Sequence, residues 1–224
     1  MRFRPNPDPT PGQSWFYLLF LLLLIGLFAA EVFVNYQPVK LTALLVVLFW
    51  IPLLVLHEAG HAVVAALLGW RVHRVVLGMG RTLWRFRVRG VPVEVRAFPV
   101  EGFVVPSPVD LRAPRLKSAL IYFAGPGSEL LLVLIVGLIV GPATLLTHSH
   151  DLGMLVAQSL CVAALVSALI NLIPHVAVTQ SGEVANDGLG IIRSFTRPLA
   201  DFAAMIDPTP QAQSWEQDAD WWKR

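Results

Sequence analysis

Four stretches of this chain, residues 15–34, 41–68, 116–146 and 152–173, are apolar over about 20 residues or more, the length that crosses a bilayer as a helix. The composition agrees: 55% of the residues are hydrophobic, 14% are charged, and the mean hydropathy is +0.63. That balance belongs to integral membrane proteins rather than soluble domains. The third stretch is long for one crossing, so it either begins as an interfacial helix or bends at Gly125-Pro126. The expected fold is a membrane all-α protein of about four transmembrane helices, with a membrane-associated β-hairpin on the cytoplasmic side between the second and third.

Charge placement sets the orientation. Of 17 Lys and Arg, two precede the first stretch, ten lie from Arg71 to Lys117 and four follow the last, leaving Lys40 alone on the other side. Cationic loops stay inside, so both termini and the central loop are expected in the cytoplasm, and the setting is a multi-pass protein of a bacterial cell membrane. Orientation accounts for the basic loop, which removes the reason to invoke nucleic acid. The first stretch follows Met1-Arg2-Phe3-Arg4 but is long, and Phe28-Ala29-Ala30 is a poor cleavage site, so it reads as an uncleaved anchor. The one cysteine, Cys161, lies inside the last stretch and reads as a small core residue.

The second stretch carries His57-Glu58-Ala59-Gly60-His61. On a helix His57 and His61 project from one face and suit two corners of a tetrahedral zinc site. Glu58 lies beside the first ligand, where it reaches a zinc-bound water as general base. Ionisable groups in a membrane span are expensive and by default functional. Pro52, just over a turn before His57, is expected to bend the helix. At 1.5 Å per residue His57 lies roughly 24 Å from Leu41, and Asn171 roughly 28 Å from Leu152, so two spans bring polar groups to one level near the inner face.

Between them, Trp84-Arg85-Phe86-Arg87-Val88-Arg89 and Val91-Pro92-Val93-Glu94-Val95-Arg96-Ala97-Phe98 alternate apolar and polar residues around Gly90. This predicts a hairpin over about 72–105, either a plain surface element or an edge that pairs with an extended peptide. Pro92 belongs at a sheet edge or among the strand's first residues. The small residues of Phe123-Ala124-Gly125-Pro126-Gly127-Ser128-Glu129 allow close helix packing, and Glu129 stands out as ionisable. His148 to Asp151 form an outer turn and read as solvated. After Asp187, apolar positions recur at threes and fours through Ile206, which predicts an amphipathic helix bent near Pro198.

Taken in order, His57-Glu58-Ala59-Gly60-His61, Gly125-Pro126, Asn171-Leu172-Ile173-Pro174 and Asp187-Gly188 resemble the site-2 protease family of intramembrane zinc metalloproteases, in a short form without a PDZ or CBS domain. The resemblance covers roughly residues 41–195, flanked by a flexible lead-in (1–14), the anchor (15–34) and an amphipathic or mobile tail (196–224). It implies one Zn²⁺ held by His57, His61 and Asp187, with Glu58 activating water, and the hairpin as a re-entrant element. That family's usual Gly-Gly before an aromatic stands here as Glu101-Gly102-Phe103, and its usual Asn stands as Glu129. The gap from Pro174 to Asp187 is longer than in many members, which keeps His175, Glu183 and Glu129 open as alternative third ligands.

The implied activity is hydrolysis of a peptide bond in or near a transmembrane segment of another membrane protein, with Asn171 orienting substrate or stabilising the oxyanion. The expected partners are that substrate and the lipid bilayer, with substrate selection falling to the membrane core or to a regulatory membrane partner. Two other classes are weighed. An inactive metal-binding scaffold has no need of Glu58. A metal-ion transporter needs polar residues at successive depths, whereas here they share one level.

Overall fold

The computed structural model describes residues 37–147, 149–179 and 182–206, together with scattered positions between 23 and 34. The expected anchor and the end of the chain beyond 206 therefore lie almost wholly outside the described residues. Among the described residues three helices are long and apolar enough to cross a membrane: α1 (Leu41–Leu67), α2 (Pro114–Val140) and α4 (Leu152–Leu172). Between α1 and α2 run two antiparallel strands, β1 (Arg71–Val88) and β2 (Val91–Ser107).

Helix α1 sorts its residues by what they need. Leu53, His57, Glu58, His61 and Ala65 form the buried stripe, while Val47, Ile51, Val55, Val63 and Leu67 face outward. The helix is apolar all round except where protein covers it, as a lipid-facing helix should be. Leu53 packs with Ala163 and Ala164 of α4 and with Leu132 and Val133 of α2, so one apolar cluster ties the three helices together. At Gly60 an added Cβ would lie 2.5 Å from the Ala124 carbonyl oxygen, so α1 and α2 touch backbone to backbone there.

The far end of α1 is closed by its sequence. Gly69 takes φ +76°, its N–H bonds the Ala66 carbonyl at 3.1 Å, and the Trp70 N–H bonds Ala65 at 2.9 Å. This is a Schellman ending, and it sends the chain straight into β1. Arg89 and Gly90, both at positive φ, form the two-residue turn of the hairpin, with Val88 opposite Val91. The sheet then curls on itself. Val75, Val76 and Leu77 pair with Val104, Phe103 and Gly102 and also with Val93, Glu94 and Val95. Gly78, at φ +93°, permits the curl, since a Cβ there would meet the Phe98 carbonyl oxygen at 2.8 Å. The reading of one plain hairpin missed this second pairing, and Val76, paired on both sides, is fully buried. On the polar face Arg74, Arg85 and Arg96 surround Glu94 at 3.3 to 3.8 Å.

Helix α2 continues unbroken through Gly125-Pro126 and stops at Gly141, followed by the one-turn α3 (Pro142–Leu145). Asp151 caps α4, its Oδ1 accepting from the Met154 N–H at 2.8 Å, so this residue of the turn before α4 has a structural task. After α4 a short hairpin, β3 (Val176–Thr179) and β4 (Gly182–Ala185), leads to α5 (Asp187–Thr196) and α6 (Leu199–Ile206). The amphipathic pattern breaks around Arg197-Pro198, where proline removes a helix donor. Phe202 of α6 is fully buried against Ala65, Trp70 and Ile121, so this helix belongs to the packed core.

Candidate metal centre

Two neighbouring turns of α1 and the first residue of α5 meet at one point. His57 Nε2 lies 2.9 Å from Asp187 Oδ2, and His61 Nε2 lies 3.4 Å from Asp187 Oδ1. One ligand atom from each of the three falls within 4.8 Å of the others. His61 Nδ1 donates to the Ile121 carbonyl at 2.6 Å, which leaves the Nε2 lone pair free for a metal. On the far side of His57, Nδ1 is 3.4 Å from Glu129 Oε1, and Glu129 Oε1 accepts from Ser167 Oγ at 2.7 Å.

Several local devices hold this geometry. Asn186 caps α5, its Oδ1 accepting from the Leu189 N–H at 3.1 Å, while its Nδ2 donates to the carbonyls of Ile173 (2.7 Å) and Asn171 (2.9 Å). One side chain thus clamps the start of α5 to the end of α4. The long gap before Asp187 is taken up by β3–β4, whose base closes with Val176 opposite Ala185 and the Asn186 N–H on the His175 carbonyl at 3.2 Å. The extra residues loop out, and Asp187 still reaches the imidazoles. Burial pushes the Asp187 carboxyl up, but the two imidazoles in contact with it outweigh that and hold the acid below the ordinary aspartate range.

Glycines make room. A Cβ at Gly125 would lie 2.5 Å from His57 Nε2 and also against His61 Nε2, so only glycine lets α2 pass the metal-facing atoms. A Cβ at Gly188 would run into the Leu172 carbonyl, and one at Gly190 into the Tyr122 ring. At Gly102 it would lie 2.7 Å from Glu58 Oε1. The segment Glu101-Gly102-Phe103-Val104 of β2 therefore runs directly along the Glu58 carboxylate. A cleft of about 420 Å³ opens here, lined among others by Trp50, Glu58, Val100, Phe103, Asn171 and Asp187. Glu58 is 4% exposed, and its Oε2 has no hydrogen-bond partner among the described residues.

The donor set suits zinc: two imidazole nitrogens and one carboxylate, with a cleft on the remaining side. His57, Glu58, His61, Asp187 and Asn171 all line that cleft. The Asn171 amide donates one hydrogen to the Ser167 carbonyl of its own helix at 3.1 Å, and among the described residues the other has no partner. Of the alternative ligands, His175 turns its Nδ1 to Asn186 and the Ile173 carbonyl and stays outside the cluster. Glu129 stands behind His57, and the Glu183 side chain lies outside the described residues. Sequence reasoning missed Ser167 and the clamp by Asn186. Both had a signal: a serine one turn before Asn171 in an apolar helix, and an Asx residue opening a periodic run.

If Asp187 is the third ligand, detergent-purified wild type carries about one zinc per chain and Asp187→Ala carries next to none, with the same far-ultraviolet circular dichroism. Elemental analysis decides it. Zinc kept in that variant would return the choice to Glu129 and Glu183.

A His-Glu-x-x-His helix in apolar surroundings, with an aspartate from a later helix closing the triangle, defines a membrane protein of the metallopeptidase type. The chain belongs to Peptidase family M50, whose pattern it matches over residues 43–206. It is similar to the zinc metalloprotease Rip1 of Mycobacterium tuberculosis, 34% identical across 40% of this chain and 26% of that protein. It is also similar to the chloroplastic membrane metalloprotease ARASP of Arabidopsis thaliana, 40% identical across 23% of this chain and 12% of that protein. The alignments take in 12% to 26% of the length of the curated relatives it matches.

Proposed function

We propose that this protein is a zinc metalloendopeptidase that cuts a peptide bond in or near a transmembrane segment of another membrane protein. The observation that carries the reading is the convergence of His57, His61 and Asp187 beside Glu58 in a cleft walled by a strand. When bound, zinc supplies a Lewis acid that polarises a carbonyl and acidifies water. Nε2 of each histidine and the Asp187 carboxylate would hold it. Glu58, shielded from bulk solvent, accepts the proton of the attacking water and delivers it to the departing amine nitrogen as the C–N bond breaks. The free amide hydrogen of Asn171 is placed to orient the substrate carbonyl, a contribution of about 3 kcal/mol for one such donor.

A transmembrane helix hides its carbonyls, so the scissile segment must unwind. The edge of β2 from Val100 to Val104 offers backbone groups to pair with the unwound segment and offset its lost helical bonds. The excess of Lys and Arg in the central loop supports a hairpin and metal centre on the cytoplasmic side, with the released fragment going there. Selection of the substrate rests with this edge, with the surrounding spans, or with a membrane partner that presents it.

The test is Glu58→Gln. Wild type and variant are purified in detergent, matched for zinc, and incubated with a panel of single-span membrane proteins, with fragments identified by mass spectrometry. Cleavage by wild type that falls by about 10²-fold or more in the variant supports the reading. Equal cleavage by both would overturn it.

A further inference from the structure

Among the described residues Glu129 is the most costly that the reaction does not itself use. It is fully buried in an apolar helix, and one hydroxyl, Ser167 Oγ, bonds its Oε1. A lone carboxylate in that setting needs a positive partner. Two buried polar atoms close by also lack a hydrogen-bond partner among the described residues: Glu129 Oε2 and His57 Nδ1. The carboxylate and that nitrogen approach to 3.4 Å, inside ion-pair range but short of hydrogen-bond alignment. His61 makes the comparable contact with a backbone carbonyl, so each imidazole is backed by an acceptor on the side away from Asp187.

We infer that Glu129, held by Ser167, is a positioning residue for the metal: it takes the Nδ1 proton of His57 as a hydrogen bond and so keeps Nε2 as the donor facing zinc. The inference rests on the metalloprotease reading above and deepens it. An acceptor behind a ligating imidazole fixes the tautomer, locks the ring plane and makes the ligand more basic, and loss of such a partner weakens metal binding by about 10- to 100-fold. A carboxylate does this more strongly than an amide because it brings a full negative charge next to the cationic centre. Glu129→Gln removes the charge at the same length and keeps an amide acceptor, and Glu129→Asn does so with one methylene fewer, so neither overpacks α2 against α4. Ser167 works one step behind. Without its hydroxyl the carboxylate stays, but its angle toward His57 relaxes.

The experiment measures zinc affinity by competition with a chelator, together with the visible spectrum of the cobalt-loaded protein, for wild type, Glu129→Asn, Glu129→Gln and Ser167→Ala. Melting of the metal-free forms is followed alongside. Zinc affinity falling about 10- to 100-fold in both Glu129 variants, less in Ser167→Ala, with a shifted cobalt spectrum and little change in metal-free melting, supports the inference. Wild-type affinity and spectrum in Glu129→Asn overturn it and leave the protease reading standing. A variant that loses metal-free stability while its affinity holds shows a packing role only, and also overturns it. A wild type that binds no zinc removes the metalloprotease reading, and this role with it.

Discussion

Gly125→Ala is expected to strip the protein of zinc. Its new Cβ would stand 2.5 Å from His57 Nε2, the atom that must face the metal. Carbon and nitrogen need roughly 3.4 Å or more at contact, so either the imidazole or helix α2 has to yield by about an ångström. Ligand distances at a zinc site tolerate about 0.2 Å. Moving α2 away carries its own cost, because it would open the close backbone packing of Gly60 on α1 against the Ala124 carbonyl one residue earlier. Elemental analysis should find zinc reduced by about tenfold or more in a protein that still shows helical circular dichroism. Gly137→Ala serves as the control. It lies on the same helix, its Cβ would meet only Leu145 Cδ1 at an ordinary 3.7 Å, and zinc should stay at the wild-type level. Full zinc occupancy in Gly125→Ala would mean that the imidazoles do not face α2 as described.

Gly102→Ala is expected to do the opposite: keep the metal and lose the chemistry. The added Cβ would lie 2.7 Å from Glu58 Oε1 and 2.8 Å from its Cγ, while the Val76 carbonyl oxygen at 2.8 Å blocks retreat on the other side. Glu58 must swing away from its place beside the cleft, and none of the three atoms nearest the added carbon belongs to a metal-facing residue. A displaced general base forfeits about 10²- to 10⁴-fold in rate. Cleavage of an established substrate by zinc-matched wild type and variant would read it. Wild-type turnover in Gly102→Ala would show that the base works from somewhere other than its observed position.

These two glycines also mark where reading the sequence stopped. Three of the four expected spans are seen among the described residues, legible because about 20 apolar residues in a row have few other uses, and α1 ends one residue before the expected boundary. The hairpin was legible from period-two alternation around Gly90, with strands reaching Ser107. The histidine pair and Glu58 were legible because four-residue spacing on one helix is a local property. Contacts that join distant segments were not. Nothing near residues 75–77 announces that one strand will be paired on both sides, and nothing near residue 129 announces Ser167, 38 positions away. The gap before Asp187 looked too long by count alone. Its hairpin closes the distance through pairing that spacing cannot express.

That hairpin has a consequence for how the family can vary. Because Val176 meets Ala185 and the clamp at Asn186 is tied to His175 and Ile173, the position of Asp187 is set at the neck of the β3–β4 excursion. A change of length beyond the Thr179–Gly182 pair is expected to leave the neck where it is. The spacing between the Asn-Leu-Ile-Pro and Asp-Gly segments is thereby released from the demands of placing the Asp187 carboxylate. The same freedom makes this excursion the natural place to graft an affinity tag or a fluorophore that reports on the protein without touching its metal-facing residues.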